Sequence, residues 1–462
     1  VGEAADLTSR SDRRSIYLGA VFAALAAILV RWALFGSGLD PVVSPDTSRY
    51  VEFADAWRKT GHLPPVSLRL PGYPLLLMWT AGASANFHVT MFVQHALGVL
   101  STVLLYALTV RLTGRVWLGL LAAGIALLLI DIQLMELVLY TETLTLALVT
   151  IGALALAVGL TGGTGKAWWL TLSGLAWTGA AFTRPVHLAA VGVFVVIVLV
   201  EYGRGRLRRW VLLPTALLPV VLIGSYMVAN GKRDGTGRVR FVTSGYHVLN
   251  YLAYPELYRN LPPEMADVQK IYLAKGPTVA RELVWSWYTV DELVKVHAAK
   301  YGPAPEDDIA VATALQAIRA RPLIAASISK DTLGRYLFTY DLLHGLLINN
   351  QKPPTPENIQ LTPRVYRTAR VLESTWKVLT PILSLAALAL PILAHWLKGP
   401  RSAGLMAVWV VLVTIILANV TIEQFSRQAR FRIPVQYVMI SLALAGAQAA
   451  AVGYGMRRRT DR

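Results

Sequence analysis

The 462-residue chain is 55% hydrophobic and only 15% charged, and its mean hydropathy of +0.49 is too high for an ordinary soluble protein. A formal net charge of +17 would suggest nucleic acid in a soluble chain. In a membrane protein Lys and Arg instead collect in cytoplasmic loops, so no nucleic-acid partner is expected. Cysteine is absent, which excludes disulfides, thiolate metal sites and a Cys nucleophile.

The first apolar run, Ile16 to Phe35, follows the basic stretch Ser11-Asp12-Arg13-Arg14. At 1.5 Å per residue its roughly 20 residues cover about 30 Å, and no small-residue cleavage site follows, so a retained helix is expected rather than a signal peptide. A long polar segment, Gly36 to Thr90, comes next. It holds SPDTSRY (Ser44 to Tyr50), an amphipathic piece from Tyr50 to Lys59, and RLPGYP (Arg69 to Pro74). Further apolar runs predict helices at about Met91 to Val110, Val116 to Ile130, Leu139 to Leu160, Trp168 to Phe182, Val186 to Val200, Val211 to Ala229, Val378 to Leu397, Leu405 to Val420 and Pro434 to Tyr454.

With the first run these make about ten transmembrane helices of an all-α polytopic protein. Charge tests the count. A cytoplasmic N-terminus puts Arg111, Arg115, Lys166, Arg204, Arg206, Arg208, Arg209, Lys398, Arg401 and Arg457 to Arg459 in inner connections, as the positive-inside rule requires. Both termini are then cytoplasmic in a plasma (inner) membrane. Three parts follow: residues 1–230, a transmembrane half with the outer loop 36–90; residues 231–377, an extracytoplasmic insertion; and residues 378–462, the last helices. Within the insertion 323–348 is apolar but carries Lys330, Asp331, Arg335 and Asp341. Each would cost about 2.5–3.5 kcal/mol at a bilayer centre, so an interfacial or re-entrant helix is expected there.

Ionisable residues on the outer side are the candidates for chemistry. Asp46 could take the proton from an attacking hydroxyl, or could simply make an Asx turn after Pro45 with Arg49 nearby. Glu142, in YTETL, opens a helix whose dipole favours an acid, yet an unbroken apolar run follows it; intramembrane acids are functional candidates. Asp131 and Glu136 share its connection as weaker alternatives. Arg184 in FTRPVH could cap a helix end or bind an anion. Arg427, Arg430 and Arg432 in EQFSRQARFR form a basic cluster against the positive-inside trend, suited to a phosphate or to lipid headgroups, and Arg69 adds another cation. GGTGKA (Gly162 to Ala167) lacks the first glycine and the Ser or Thr of a phosphate loop, no HExxH occurs, and a metal site is unsupported.

In this order, the outer acid, RLPGYP, YTETL, TRP and RFRIP resemble the integral-membrane GT-C glycosyltransferases, closest to the branch of protein O-mannosyltransferases and aminoarabinose lipid A transferases. The resemblance covers the membrane half and hardly touches the insertion. It implies a GT-C-like bundle with a polar region on the outer face, and a polyprenyl-phosphate-linked sugar as donor. The sugar would pass with inversion to an acceptor hydroxyl of a protein, glycolipid or cell-wall glycan. Asp46 matches the family's first-loop catalytic acid; Glu142 matches the acid of the fourth helix approximately. Arg430 falls at the family's basic position before the last span, a role extended to Arg432. Many members carry a second acid directly after the first, where this chain has Thr47, and this departure counts against a paired-carboxylate or metal-assisted variant. A lipid-linked sugar flippase is the competing class. It needs a polar route across the whole membrane, whereas the inner halves of these helices are almost uninterrupted Leu, Val and Ala.

Overall fold

A computed structural model describes residues 10–36, 41–43, 45–64, 69–81, 86–161, 165–233, 239, 241, 248–282, 287–302, 304–338, 363–397, 402–423 and 433–460. Among them β pairing is confined to one parallel bridge, Val42 to Val138. Everything else that is regular is helical.

α1 (Arg10–Phe35) turns Tyr17, Phe22, Leu29 and Trp32 outward and buries Ala23 and Ala27. Large apolar side chains outside and small ones inside are the distribution that a lipid solvent favours. After α2 (Pro45–Thr60) and α3 (Gly72–Thr80) comes α4 (Phe87–Thr113). Asn86 opens it by accepting the His88 N–H at 3.1 Å, and Gly114, at φ +72°, closes it in the left-handed conformation that glycine adopts freely. α5 (Val116–Leu127) and α6 (Ile130–Met135) lead to α7 (Glu142–Thr161) and α8 (Lys166–Thr183). These last two pack closely because α7 presents small residues. A Cβ on Gly152 would come within 2.7 Å of the Trp177 ring, and Ser173 links the pair, donating to the Gly152 carbonyl at 2.9 Å and accepting the Trp177 indole N–H at 3.1 Å.

A 3₁₀ turn (Pro185–His187) enters α9 (Leu188–Gly203). α10 (Arg209–Arg233) contains a π turn at Leu213–Leu217, where Pro214 supplies no N–H. The insertion forms α11 (Ala266–Glu282), α12 (Trp287–Tyr301), α13 (Glu306–Ala320) and α14 (Pro322–Phe338) around an apolar cluster that includes Leu249, Leu257, Tyr272, Ile309 and Ile328. The chain bends by 104° between α13 and α14, and residues 339–348 of the expected re-entrant stretch lie outside the described residues. The last helices are α15 (Pro363–Trp396), α16 (Ser402–Ala418), which runs into a π turn at Asn419–Glu423, and α17 (Ile433–Thr460).

Among the described residues eight spans, in α1, α4, α7, α9, α10, α15, α16 and α17, are long and apolar enough to cross a membrane, or nine if the bent pair α13 and α14 counts as one. The chain is an all-α, multi-pass membrane protein. The other two expected helices form but fall short. α5 stops at Leu127 after 12 residues, about 18 Å of rise, and α8 is diluted by Lys166, Thr171, Ser173, Gly174 and Thr178. Contacts sort the helix ends. Arg111 donates to Thr161 at 2.6 Å, and Gln448 to the Thr113 carbonyl at 3.1 Å, at one end. Thr145 meets Thr183 at 2.8 Å, and Gln436 donates to Asp131 at 3.2 Å, at the other.

Candidate functional site

The second of these ends is assembled around residues 136–142. After α6 the chain turns at 136–137 and pairs with Val42 through the bridge at Val138: the Val42 N–H reaches the Leu137 carbonyl at 2.8 Å, and the Leu139 N–H reaches that of Val42 at 3.2 Å. Thr47 then donates to the Leu139 carbonyl at 3.2 Å. This fastens the start of α2 three residues from Glu142 in the chain. SPDTSRY is therefore not the loop that its composition suggests. Pro45 takes the first helical position, where its missing N–H costs nothing, and Asp46 follows in the first turn, where the helix dipole favours an anion. Ser44 and the Asp46 side chain lie outside the described residues, so Asp46 is placed by its backbone alone.

Glu142 and Arg184 meet directly. Glu142 opens α7 and is 3% exposed; Arg184, extended between α8 and the 3₁₀ turn, is 6% exposed. The guanidinium donates to one carboxylate oxygen at 3.4 Å, and Thr141 donates to the other at 3.3 Å. Arg184 thus points into the protein instead of snorkelling outward. A buried pair of this kind gains little stability over an apolar one, because both charges lose water.

Arg69 lies with its guanidinium 4.7 Å over the Tyr50 ring of α2, and Tyr50 meets Tyr73 of α3 edge-on at 5.2 Å. The Tyr73 hydroxyl donates to Gln94 at 2.7 Å. Burial, then the neighbouring Tyr50 and the Glu142 carboxylate, hold the Tyr73 phenol well above its ordinary value, which keeps it a neutral donor.

A second ionic cluster sits below. Arg31 of α1 makes a two-pronged bond to Glu136, at 2.8 and 2.5 Å, and His95 of α4 approaches the same carboxylate at 2.8 Å. Gly98 leaves the room for it: a Cβ there would overlap the Glu136 carboxylate and the Arg31 guanidinium. From the sequence Glu136 is only an alternative to Glu142, and Arg31 and Gln94 are not among the candidates. The available signal was an Arg inside an apolar run, which is costly in lipid without a partner.

Arg427, Arg430 and Arg432 lie outside the described residues. α17 begins directly after them, and Gln436 in its first turn bonds Asp131, so the stretch joins α17 at this same end. Among the described residues the buried Arg31, Asp131, Glu136, Glu142 and Arg184 are joined by bonds at this end. No group of three or more His, Cys, Asp or Glu side chains gathers among the described residues as metal ligands would.

No protein-family model matches the sequence, and no curated protein does. Among solved structures the chain is similar to ArnT from Cupriavidus metallidurans bound to undecaprenyl phosphate, at 13% identity and a TM-score of 0.35 over 93% of this chain and 77% of that one. It is also similar to the archaeal oligosaccharyltransferase AglB from Archaeoglobus fulgidus in complex with an inhibitory peptide and a dolichol-phosphate, at 12% identity and a TM-score of 0.44. That likeness covers 98% of this chain and 52% of AglB, so the chain spans about half its length. TM-scores below 0.5 leave function to the chain's own side chains.

Proposed function

We propose that this chain is an inverting GT-C-type glycosyltransferase, moving a sugar from a polyprenyl-phosphate donor to an acceptor hydroxyl on the extracytoplasmic face. Undecaprenyl phosphate and dolichol-phosphate, the lipids bound in ArnT and AglB, define the carrier class meant. The observation that carries the reading is the buried Glu142–Arg184 pair beside the start of α2. It lies at the end of the bundle where Arg31, Asp131 and Glu136 are also buried, which supports chemistry on one side over transport across. The positive-inside rule supports placing the opposite, Arg-rich end and both termini in the cytoplasm.

The acceptor oxygen attacks the anomeric carbon as the carbon–oxygen bond to phosphate breaks. The acceptor proton passes to the Asp46 carboxylate, and the bonding electrons leave on the phosphate. Attack opposite the leaving group inverts the anomeric centre. A lipid phosphate needs no general acid; it needs cations where its charge grows. Arg184 supplies one, with Arg69, Arg427, Arg430 and Arg432 as further phosphate contacts, and Glu142 holds Arg184 in place until the donor arrives.

Replacing Arg184 with Ala is expected to weaken binding of a synthetic polyprenyl-phosphate sugar by about 10- to 100-fold, the worth of one charged hydrogen-bond set. Lys at the same position keeps the charge but loses the fork, and should fall between. Equilibrium binding of a labelled donor in detergent measures both. Unchanged affinity in the Ala variant would take Arg184 out of the donor site.

A further inference from the structure

Gln94 is fully buried on α4, and its side-chain amide is used on both sides. The nitrogen donates to the carbonyls of Glu136, at 2.8 Å, and Val138, at 3.0 Å, while the oxygen accepts the Tyr73 hydroxyl at 2.7 Å. Two carbonyls on one side and a hydroxyl donor on the other fix the amide's orientation. From Gln94 two routes lead to the start of α2. One runs through Val138, its bridge to Val42, and Leu139, whose carbonyl takes the Thr47 hydroxyl. The other runs through Tyr73 to the Tyr50 ring. The first ends one residue from Asp46 and the second four residues from it. The far end of the segment is held as well, since the Glu136 carboxylate is clamped by Arg31.

We propose that Gln94 is a positioning residue for the base: by bonding residues 136–138 and Tyr73 together it sets where the first turn of α2 carries Asp46 relative to Glu142 and Arg184. This rests on the reading of Asp46 as the proton acceptor. It goes beyond that reading because Gln94 touches neither donor nor acceptor. An apolar side chain would fill the same volume without the cost of burying an amide. What the amide adds is a fixed separation between α3, α4 and the segment leading to Glu142. A misplacement on the order of 1 Å at a reacting group can cost about 100-fold in rate.

The test is a double-substitution cycle on purified full-length protein, with a synthetic polyprenyl-phosphate sugar and separate determination of kcat and KM. Gln94→Leu is expected to lower kcat by about 100-fold and to leave KM for the donor within about two-fold. In an Asp46→Asn background the same substitution should cost less than about two-fold more, because the group it positions is gone. Tyr73→Phe, which removes only the hydroxyl given to Gln94, should show the same pattern with a kcat loss of about 10-fold, and it carries the cycle should Gln94→Leu fail to fold. Equal losses in both backgrounds would mean a merely structural role and overturn the proposal, as would full kcat in Gln94→Leu and Tyr73→Phe. Wild-type turnover by Asp46→Asn alone would instead remove the base, a result distinct from either.

Discussion

Asparagine in place of Asp46 is expected to slow sugar transfer by roughly 10²- to 10⁴-fold, the usual contribution of a positioned general base. A carboxylate base accepts the proton late, as the acceptor oxygen becomes acidic through bonding to the anomeric carbon. Asn has the same shape and cannot take that proton. The start of α2 is fastened by the Thr47 hydroxyl on the Leu139 carbonyl and by the Val42–Val138 bridge, neither of which involves the Asp46 side chain, so the backbone should stay in place. Donor affinity should therefore hold within about two-fold, since cations bind the phosphate. Initial rates with saturating donor, alongside donor binding, separate the two quantities. Undiminished transfer would remove Asp46 from its role.

Glu136→Gln is expected to destabilise the protein by about 3–5 kcal/mol, because it leaves the buried Arg31 guanidinium without its counter-charge. Arg31 is 6% exposed and Glu136 fully buried. The two are joined by paired hydrogen bonds, and Gly98 has no side chain to close the space if the pair breaks. The new amide would also turn donors toward a guanidinium and an imidazole. Replacing both partners, Arg31→Met with Glu136→Met, should recover most of the loss, since removing a buried pair together costs far less than removing half of it. Thermal unfolding in detergent would read both variants. A single variant as stable as the parent would show that the pair does not hold residues 136–142 in place.

The helical segments and the multi-pass character were legible because hydropathy is a sum over many residues, whereas the count was not: ten spans were expected, and among the described residues eight helices are long and apolar enough to cross a membrane. The finer structure at the polar end was not legible either, because it depends on pairings between distant residues. Arg31 and Glu136 are 105 positions apart, and Gln94 reaches carbonyls 42 and 44 positions away. Nothing local announces such partners. SPDTSRY is a different case: Pro at the first helical position with an acid behind it is a helix-start signal, obscured by the same residues' preference for turns. Glu142 and Arg184 were each visible as ionisable residues flanking apolar runs. Their direct contact follows from the close packing of α7 on α8, which small residues such as Gly152 allow.

The central claim is transfer from a lipid phosphate with inversion, and the anomeric configuration of the product tests it most directly. Purified protein should be incubated with a polyprenyl-phosphate sugar of defined anomer and a hydroxyl acceptor, and the products resolved by NMR. The expected result is free polyprenyl phosphate together with a new glycoside of the opposite anomeric configuration. A sugar that stays on its lipid while the lipid crosses the bilayer of a proteoliposome, or a glycoside of retained configuration, would contradict it.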